Sequence, residues 1–239
     1  ITSAFGVYGD SMYAGFCGVC YIFHHGEYGV YSGIATNVNG DKPAKKHSSD
    51  GWHVASAHGL PNRVINWIAI DPSDTKTVYL AIGNYSAQEL APPGSYLDAT
   101  TNLLSGHVYK STDAGENFTD ISGNLPDIPA ISIALVNGQL LLGTQLGAFI
   151  SSDTNGSSWT VLGDGLPNVP VTSIVPSPAD PSLVFASTYG RSIWTYKLGT
   201  AGSGASGSGG SASSRFGGAL GFALLLPLTG LALLRRRRR

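Results

Sequence analysis

The sequence predicts an all-β chain built from repeated four-stranded units, on three observations. The first is composition: 32 of 239 residues are glycine and only 12% are charged. Val, Ile, Thr, Tyr and Phe recur in short runs bounded by Gly, Pro, Asn and Asp clusters, the pattern of strands joined by tight turns. The second is that residues 1–198 carry no convincing amphipathic helix. The third is internal repetition, which sets the size of the unit.

Two stretches superpose without a gap, GLPNRVINWIAIDPSDTKTVYLA (Gly59 to Ala81) and GLPNVPVTSIVPSPADPSLVFAS (Gly165 to Ser187). Pro61 matches Pro167, Ile68 matches Ile174, Pro72 matches Pro178, Asp74 matches Asp180 and Val78 matches Val184. A third copy, GNLPDIPAISIALVNGQLLLG, runs from Gly123 to Gly143. Leu125 and Leu166 are 41 residues apart, the spacing of four-stranded β-propeller blades, whereas Leu60 and Leu125 are 65 apart. The excess is an insertion, NYSAQELAPPGSYLDATTNLLS, over 84–105. Within the first full copy, strands are expected at Val64 to Ile70, Thr77 to Ile82, His107 to Lys110 and Asn117 to Ile121. A ring needs about four blades. Residues 1 to 40 are therefore expected to add strands, DSMYAGF and GVYSGIATN fitting best, to give a partial propeller of about three to four blades. The chain does not begin with Met, and it reads as a C-terminal fragment or an incompletely assembled sequence whose further blades lie upstream.

Two short motifs carry a family resemblance. STDAGENF places Ser111, Asp113, Gly115 and Phe118 in the pattern S-x-D-x-G-x-x-W/F, and SSDTNGSSW places Ser151, Asp153, Gly156 and Trp159 in it with one extra residue. They resemble the Asp-box, or BNR, repeats of sialidase-like β-propellers. Physically such a motif is a hairpin turn. The Asp accepts hydrogen bonds from the turn backbone, the Gly takes a positive φ, and the aromatic ring plugs the gap between blades. SSDGWHV (Ser48 to Val54) resembles a degenerate third copy, and TYGRSIWTYKL (Thr188 to Leu198) resembles the strand that closes the last blade in such proteins.

The resemblance implies a fold more than an activity, since Asp boxes lie on outer turns. A sialidase site needs an arginine cluster, a Tyr-Glu nucleophile pair and an acid/base Asp. Ahead of the C-terminal run the chain has only Arg63, Arg191 and Arg215, and the first two sit in turn and closing-strand motifs. No catalytic residue is assigned, and no carboxylate pair can be picked out by spacing because its members would come from different blades. The expected function is a non-catalytic binding or scaffold module for glycans or proteins. The alternatives are a glycoside hydrolase of the sialidase-like or xyloglucanase-like class, completed by further N-terminal blades, and a sortilin-like protein-binding propeller. No cofactor or metal is expected. CGVCYIFHH places Cys17 and Cys20 beside His24 and His25, where a disulfide, structural thiols and a metal site remain open. The loop from Asn39 to Trp52 reads as polar and solvated.

The C-terminus divides from this body. Residues 199–215 are a Gly/Ser-rich linker that cannot bury enough surface to offset its ordering entropy. Residues 216–234 carry no charge and are long enough to span a bilayer as a transmembrane helix, and 235–239 are five arginines that stay cytoplasmic by the positive-inside bias. The body at 1–198 is thus expected to be exported. It holds eight basic and fifteen acidic residues, which argues against nucleic acid as a partner. LPLTG (Leu226 to Gly230) lies inside the span, too late for a sortase signal, and is read as coincidence. The tail is similar to the GlyGly-type C-terminal sorting signals of Gram-negative bacteria, which implies cleavage by a rhomboid-like protease around Gly217 and Gly218 and release to the cell surface. A permanent membrane anchor is the other reading.

Overall fold

The computed structural model describes residues 2–17, 32–39, 51–85, 106–163 and 165–199, together with the backbone of Gly217 and Gly218. These form four four-stranded antiparallel sheets, each a simple meander in chain order. The first holds β1 (Thr2–Tyr8), β2 (Ser11–Phe16), β3 (Gly33–Thr36) and β4 (His53–Val54). The second holds β5 (Ile65–Ile70), β6 (Val78–Ile82), β7 (Val108–Ser111) and β8 (Thr119–Asp120). The third holds β9 (Ala130–Val136), β10 (Gln139–Thr144), β11 (Gly147–Ser151) and β12 (Trp159–Val161). The fourth holds β13 (Val171–Pro176), β14 (Leu183–Thr188), β15 (Ile193–Lys197) and β16 (Gly217–Gly218).

The four repeated units are therefore four blades. The strands expected from the first full copy appear within one or two residues of their predicted limits, and the N-terminal stretches complete a blade of their own. One detail differs: the segment resembling a closing strand forms β15, the third strand of its sheet, because Gly217 and Gly218 pair outside it with Thr195 and Trp194. Residues assigned to the start of the membrane span thus supply an outer strand. The remainder of the span, the arginine run and nearly all of the linker and the insertion lie outside the described residues. Among the described residues no helix is long and apolar enough to cross a membrane.

The core lies between the blades. Each blade has two faces because strand side chains alternate, so a blade packed on both sides is apolar on both. Ala4, Tyr13 and Ile34 of the first blade meet Ile65, Ile68 and Leu80 of the second. Tyr79, Ala81 and Val108 meet Ile133, Leu140 and Leu142 of the third. Ala134, Val136 and Leu141 then meet Ile174, Val184 and Ala186 of the fourth. The inner strands β1, β5, β9 and β13 pack successively, and no comparable packing joins β13 back to β1 among the described residues. The blades form an open arc.

A meander also fixes which connections share an end of the arc. The links β1–β2 and β3–β4, with their counterparts, fall at one end, here called the turn end. The links β2–β3 and the crossings between blades fall at the other, the loop end. The two longest β2–β3-type connections, residues 17–32 in the first blade and 83–107 in the second, both leave the loop end.

Candidate functional site

At the turn end, the hairpin at 111–118 is tied by its own side chains. Ser111 Oγ donates to Asp113 Oδ1 at 2.7 Å and accepts from the Gly115 amide at 2.9 Å. Asp113 also accepts from the Asn117 amide at 2.9 Å and the Asn117 side-chain amide at 2.8 Å. Hydrogen bonds from Asn117 and Ser111 hold the Asp113 carboxyl below its ordinary range, outweighing the opposing effect of its slight burial. Ala114 and Gly115 both have positive φ, 64° and 93°. Phe118 is buried in the joint between the first two blades.

The second hairpin is looser. Asp153 accepts from the amides of Asn155 at 2.8 Å and Ser157 at 3.3 Å, and Gly156 takes a φ of 63°. Ser151 Oγ is buried without a hydrogen-bond partner, in contrast to Ser111. The extra residue moves the backbone donors away from the serine while leaving the carboxylate in use. Trp159 still plugs the joint between the second and third blades, donating from Nε1 to the Ile121 carbonyl at 3.0 Å. Phe118 and Trp159 thus fill joints between blades, while Ser111, Asp113, Gly115, Asp153 and Gly156 shape the two hairpins.

The loop end holds a different kind of cluster. Arg63, in the crossing from the first blade to the second, is buried and donates to the carbonyls of Asn84, at 3.3 Å, and of Gly106. Those carbonyls belong to the two stems of the 84–105 insertion, so one guanidinium holds both. Burial lowers the Arg63 pKa, partly offset by Tyr109, Asp127 and Asp120. Tyr109 beneath it is pushed up to about 12, chiefly by burial.

His107, the first residue after that stem, is also buried. Its Nε2 lies 2.7 Å from Asp127 Oδ1 and donates to it, while Nδ1 is 3.2 Å from the Ile82 carbonyl. Burial and the Arg63 charge depress the imidazole pKa, although the Asp127 bond acts in the other direction. Tyr85 and Gln145 bridge the second and third blades nearby through a 3.4 Å hydrogen bond. Asn62 Oδ1 accepts from the Ser32 amide at 2.8 Å, which ties the end of the first long connection to the same crossing.

Sequence reasoning gave Arg63 a turn role and did not single out His107 or Asp127. Their partners lie 20 to 43 residues away, so no local spacing announces them. The available signal was position: Arg63 follows a GLPN turn, and His107 opens the strand after the insertion. Arg191 stays in an exposed turn, where its carbonyl accepts from Trp194 Nε1 at 2.7 Å. Cys17 is buried at the end of β2 and is not a free thiol; Cys20, His24 and His25 lie outside the described residues. Among the described residues no group of three His, Cys, Asp or Glu side chains could hold a metal ion.

No protein-family model and no curated protein sequence matches the chain. Solved structures do. The computationally designed Ika4 protein matches at a TM-score of 0.50 and 9% identity, over 83% of this chain and 92% of that one. A GH74 enzyme from Niastella koreensis matches at 0.52 and 16% identity, over 91% of this chain. A chain of a nidogen/laminin complex matches at 0.50 and 10% identity, over 81% of this chain. The chain spans 29% of the GH74 enzyme and 59% of the nidogen/laminin chain. At these identities the likeness is one of fold, and with four packed meander sheets it identifies the chain as a β-propeller arc.

Proposed function

We propose that this chain is a binding module, directed outside the cell, that takes glycan or protein ligands at the loop end of its blades. The observation that carries the reading is that the longest connection within the blades, 83–107, leaves that end and that buried Arg63 holds its two stems. Long connections on a rigid scaffold are where binding groups concentrate. Asp120 and Asp127 are the described carboxylates nearest that end, and both are engaged internally, by the Ser122 amide and by His107. The test is capture by the full chain on immobilised sialosides, β-glucans, xyloglucan and extracellular proteins. Capture without turnover supports the module, and release of sugar products sinks it.

The second reading is a glycoside hydrolase of the sialidase-like or xyloglucanase-like class, favoured by the fold shared with the GH74 enzyme. For the tail, the proposed path is export, membrane insertion through the C-terminal segment and release to a Gram-negative cell surface by a rhomboid-like protease. Its support is the glycine pair beside an uncharged run that ends in five arginines. The mature protein is then expected to lack those arginines. Intact C-terminal mass in a host with the protease would leave the plain anchor.

A further inference from the structure

Asn-x-Ser/Thr triplets begin at Asn84, Asn117 and Asn155. An enzyme that attaches a glycan to asparagine must reach the side-chain amide nitrogen and bind the hydroxyl two residues on. The triplets differ in what they offer it. Asn84 is half-buried on the insertion stem, where its carbonyl accepts from Arg63, and its middle residue, Tyr85, is 8% exposed. Asn117 is exposed, but its Nδ2 donates to Asp113 Oδ2 at 2.8 Å and Thr119 is fixed in β8 opposite Lys110.

Asn155 is placed differently. It directly precedes Gly156, where the second hairpin carries its extra residue, and both Asn155 and Ser157 are exposed. Its Oδ1 accepts from Lys110 Nζ at 2.9 Å. An ammonium only donates, so this bond orients the amide: the oxygen meets Lys110 and the nitrogen is turned away from it. A glycosylated asparagine keeps its carbonyl oxygen, so attachment leaves the Lys110 bond intact. Asp153 extends the triplet to D-x-N-x-S, and bacterial oligosaccharyltransferases read an acidic residue at that place. The Asp153 carboxylate accepts from the amides of Asn155 at 2.8 Å and Ser157 at 3.3 Å, so the three residues to be read lie on one turn. Gly156 rests against the Ile121 carbonyl, and transfer requires the turn to lift from it. With few side-chain bonds and an unpartnered Ser151 Oγ, this is the easier of the two hairpins to open locally.

We infer that Asn155 is an acceptor for an N-linked glycan, transferred from a polyprenyl-diphosphate oligosaccharide by an oligosaccharyltransferase of the bacterial type. Asn155 Nδ2 attacks the anomeric carbon of the first sugar and loses one proton. The bond from that carbon to the diphosphate oxygen breaks, and the lipid diphosphate leaves with the electron pair. The inference rests on the reading that the chain is exported, because such transfer takes place outside the cytoplasm. The β11–β12 connection lies at the turn end, so the glycan stands away from the loop end that is proposed to take ligands.

The experiment incubates the purified full chain, in mild detergent, with a purified bacterial oligosaccharyltransferase, its divalent cation and a polyprenyl-diphosphate oligosaccharide, and weighs the chymotryptic peptides by mass spectrometry. The expected result is one oligosaccharide mass on the peptide that contains Asn155, lost in Asn155→Gln and in Ser157→Ala. Both positions are exposed, so both variants should keep the circular dichroism spectrum and melting curve of the unaltered protein. An unmodified chain would overturn the inference. So would a glycan on Asn84 or Asn117 alone, or one on Asn155 that persists in Ser157→Ala. The purified reaction requires no export, so its failure strikes the site and leaves the export reading to the C-terminal mass.

Discussion

The two ends of the blades are built by different rules. At the turn end, the connection between β7 and β8 satisfies its own backbone, as Asp113 does for residues 111–117 with bonds of 2.7 to 2.9 Å. At the loop end, the connection 83–107 is held by buried groups, with Arg63 on the carbonyls of Asn84 and Gly106 and His107 on Asp127. A self-contained turn can be damaged without moving its neighbours. A shared anchor cannot, because removing it leaves several partners unsatisfied at once. Stability at the turn end is thus spread over many small terms, and at the loop end it is concentrated.

The largest expected effect is at the anchor. Arg63→Met should lower unfolding free energy by about 3 kcal/mol or more, by leaving buried carbonyls unpaired and removing a fork of donors. Arg63→Lys should recover less than half of the loss, because a point charge cannot serve both stems. Urea unfolding of the three proteins measures this, and equal stabilities would dissolve the contrast between the ends.

Next is Gly59, which opens the crossing that leads to Arg63. It has a φ of 84°, and a Cβ there would fall 2.5 Å from the Phe118 carbonyl oxygen. Gly59→Ala should cost about 2 kcal/mol through strain and displacement of the Phe118 plug.

The turn end should respond less. Asp113→Ala removes acceptors from a partly exposed hairpin and should cost about 1 to 2 kcal/mol. Asp153→Ala should cost less again, since its turn makes fewer side-chain bonds and Ser151 is already unpartnered. A larger loss at Asp153 than at Asp113 in thermal melts would reverse the ranking.

The smallest effect concerns pH. Burial depresses the His107 pKa in the folded state, so the unfolded chain binds the proton more readily. Stability from this group is fully present above the unfolded value of about 6.5 and declines as pH falls below it towards the folded pKa. Comparing melts of the unaltered protein and His107→Gln from neutral to mildly acidic pH checks the sign, since the variant should lose this dependence.

These contrasts explain what was legible in the sequence. The turn end is local, so Asp113, Gly115 and Phe118 could be placed from an eight-residue pattern, and repeats such as Ile68 with Ile174 marked equivalent core positions. The first blade was read only in outline, because β4 has two residues and no full Asp box marks it. The loop-end cluster stayed hidden because Arg63, His107 and Asp127 come from three separate connections and meet only when the second blade closes.

The central claim is that the 84–105 insertion at the loop end binds, while the Asp113 hairpin at the turn end serves stability alone. It is tested most directly by measuring capture and melting temperature together on two variants. One replaces residues 86–105 by a short Gly-Ser-Gly link between Tyr85 and Gly106, and the other is Asp113→Ala. The probe is whichever immobilised glycan or protein the unaltered chain captures. The account predicts that the first variant loses capture while its melting temperature moves by no more than about 2 °C, and that Asp113→Ala melts several degrees lower with capture intact. Capture retained without the insertion, or abolished by Asp113→Ala at unchanged stability, would contradict it.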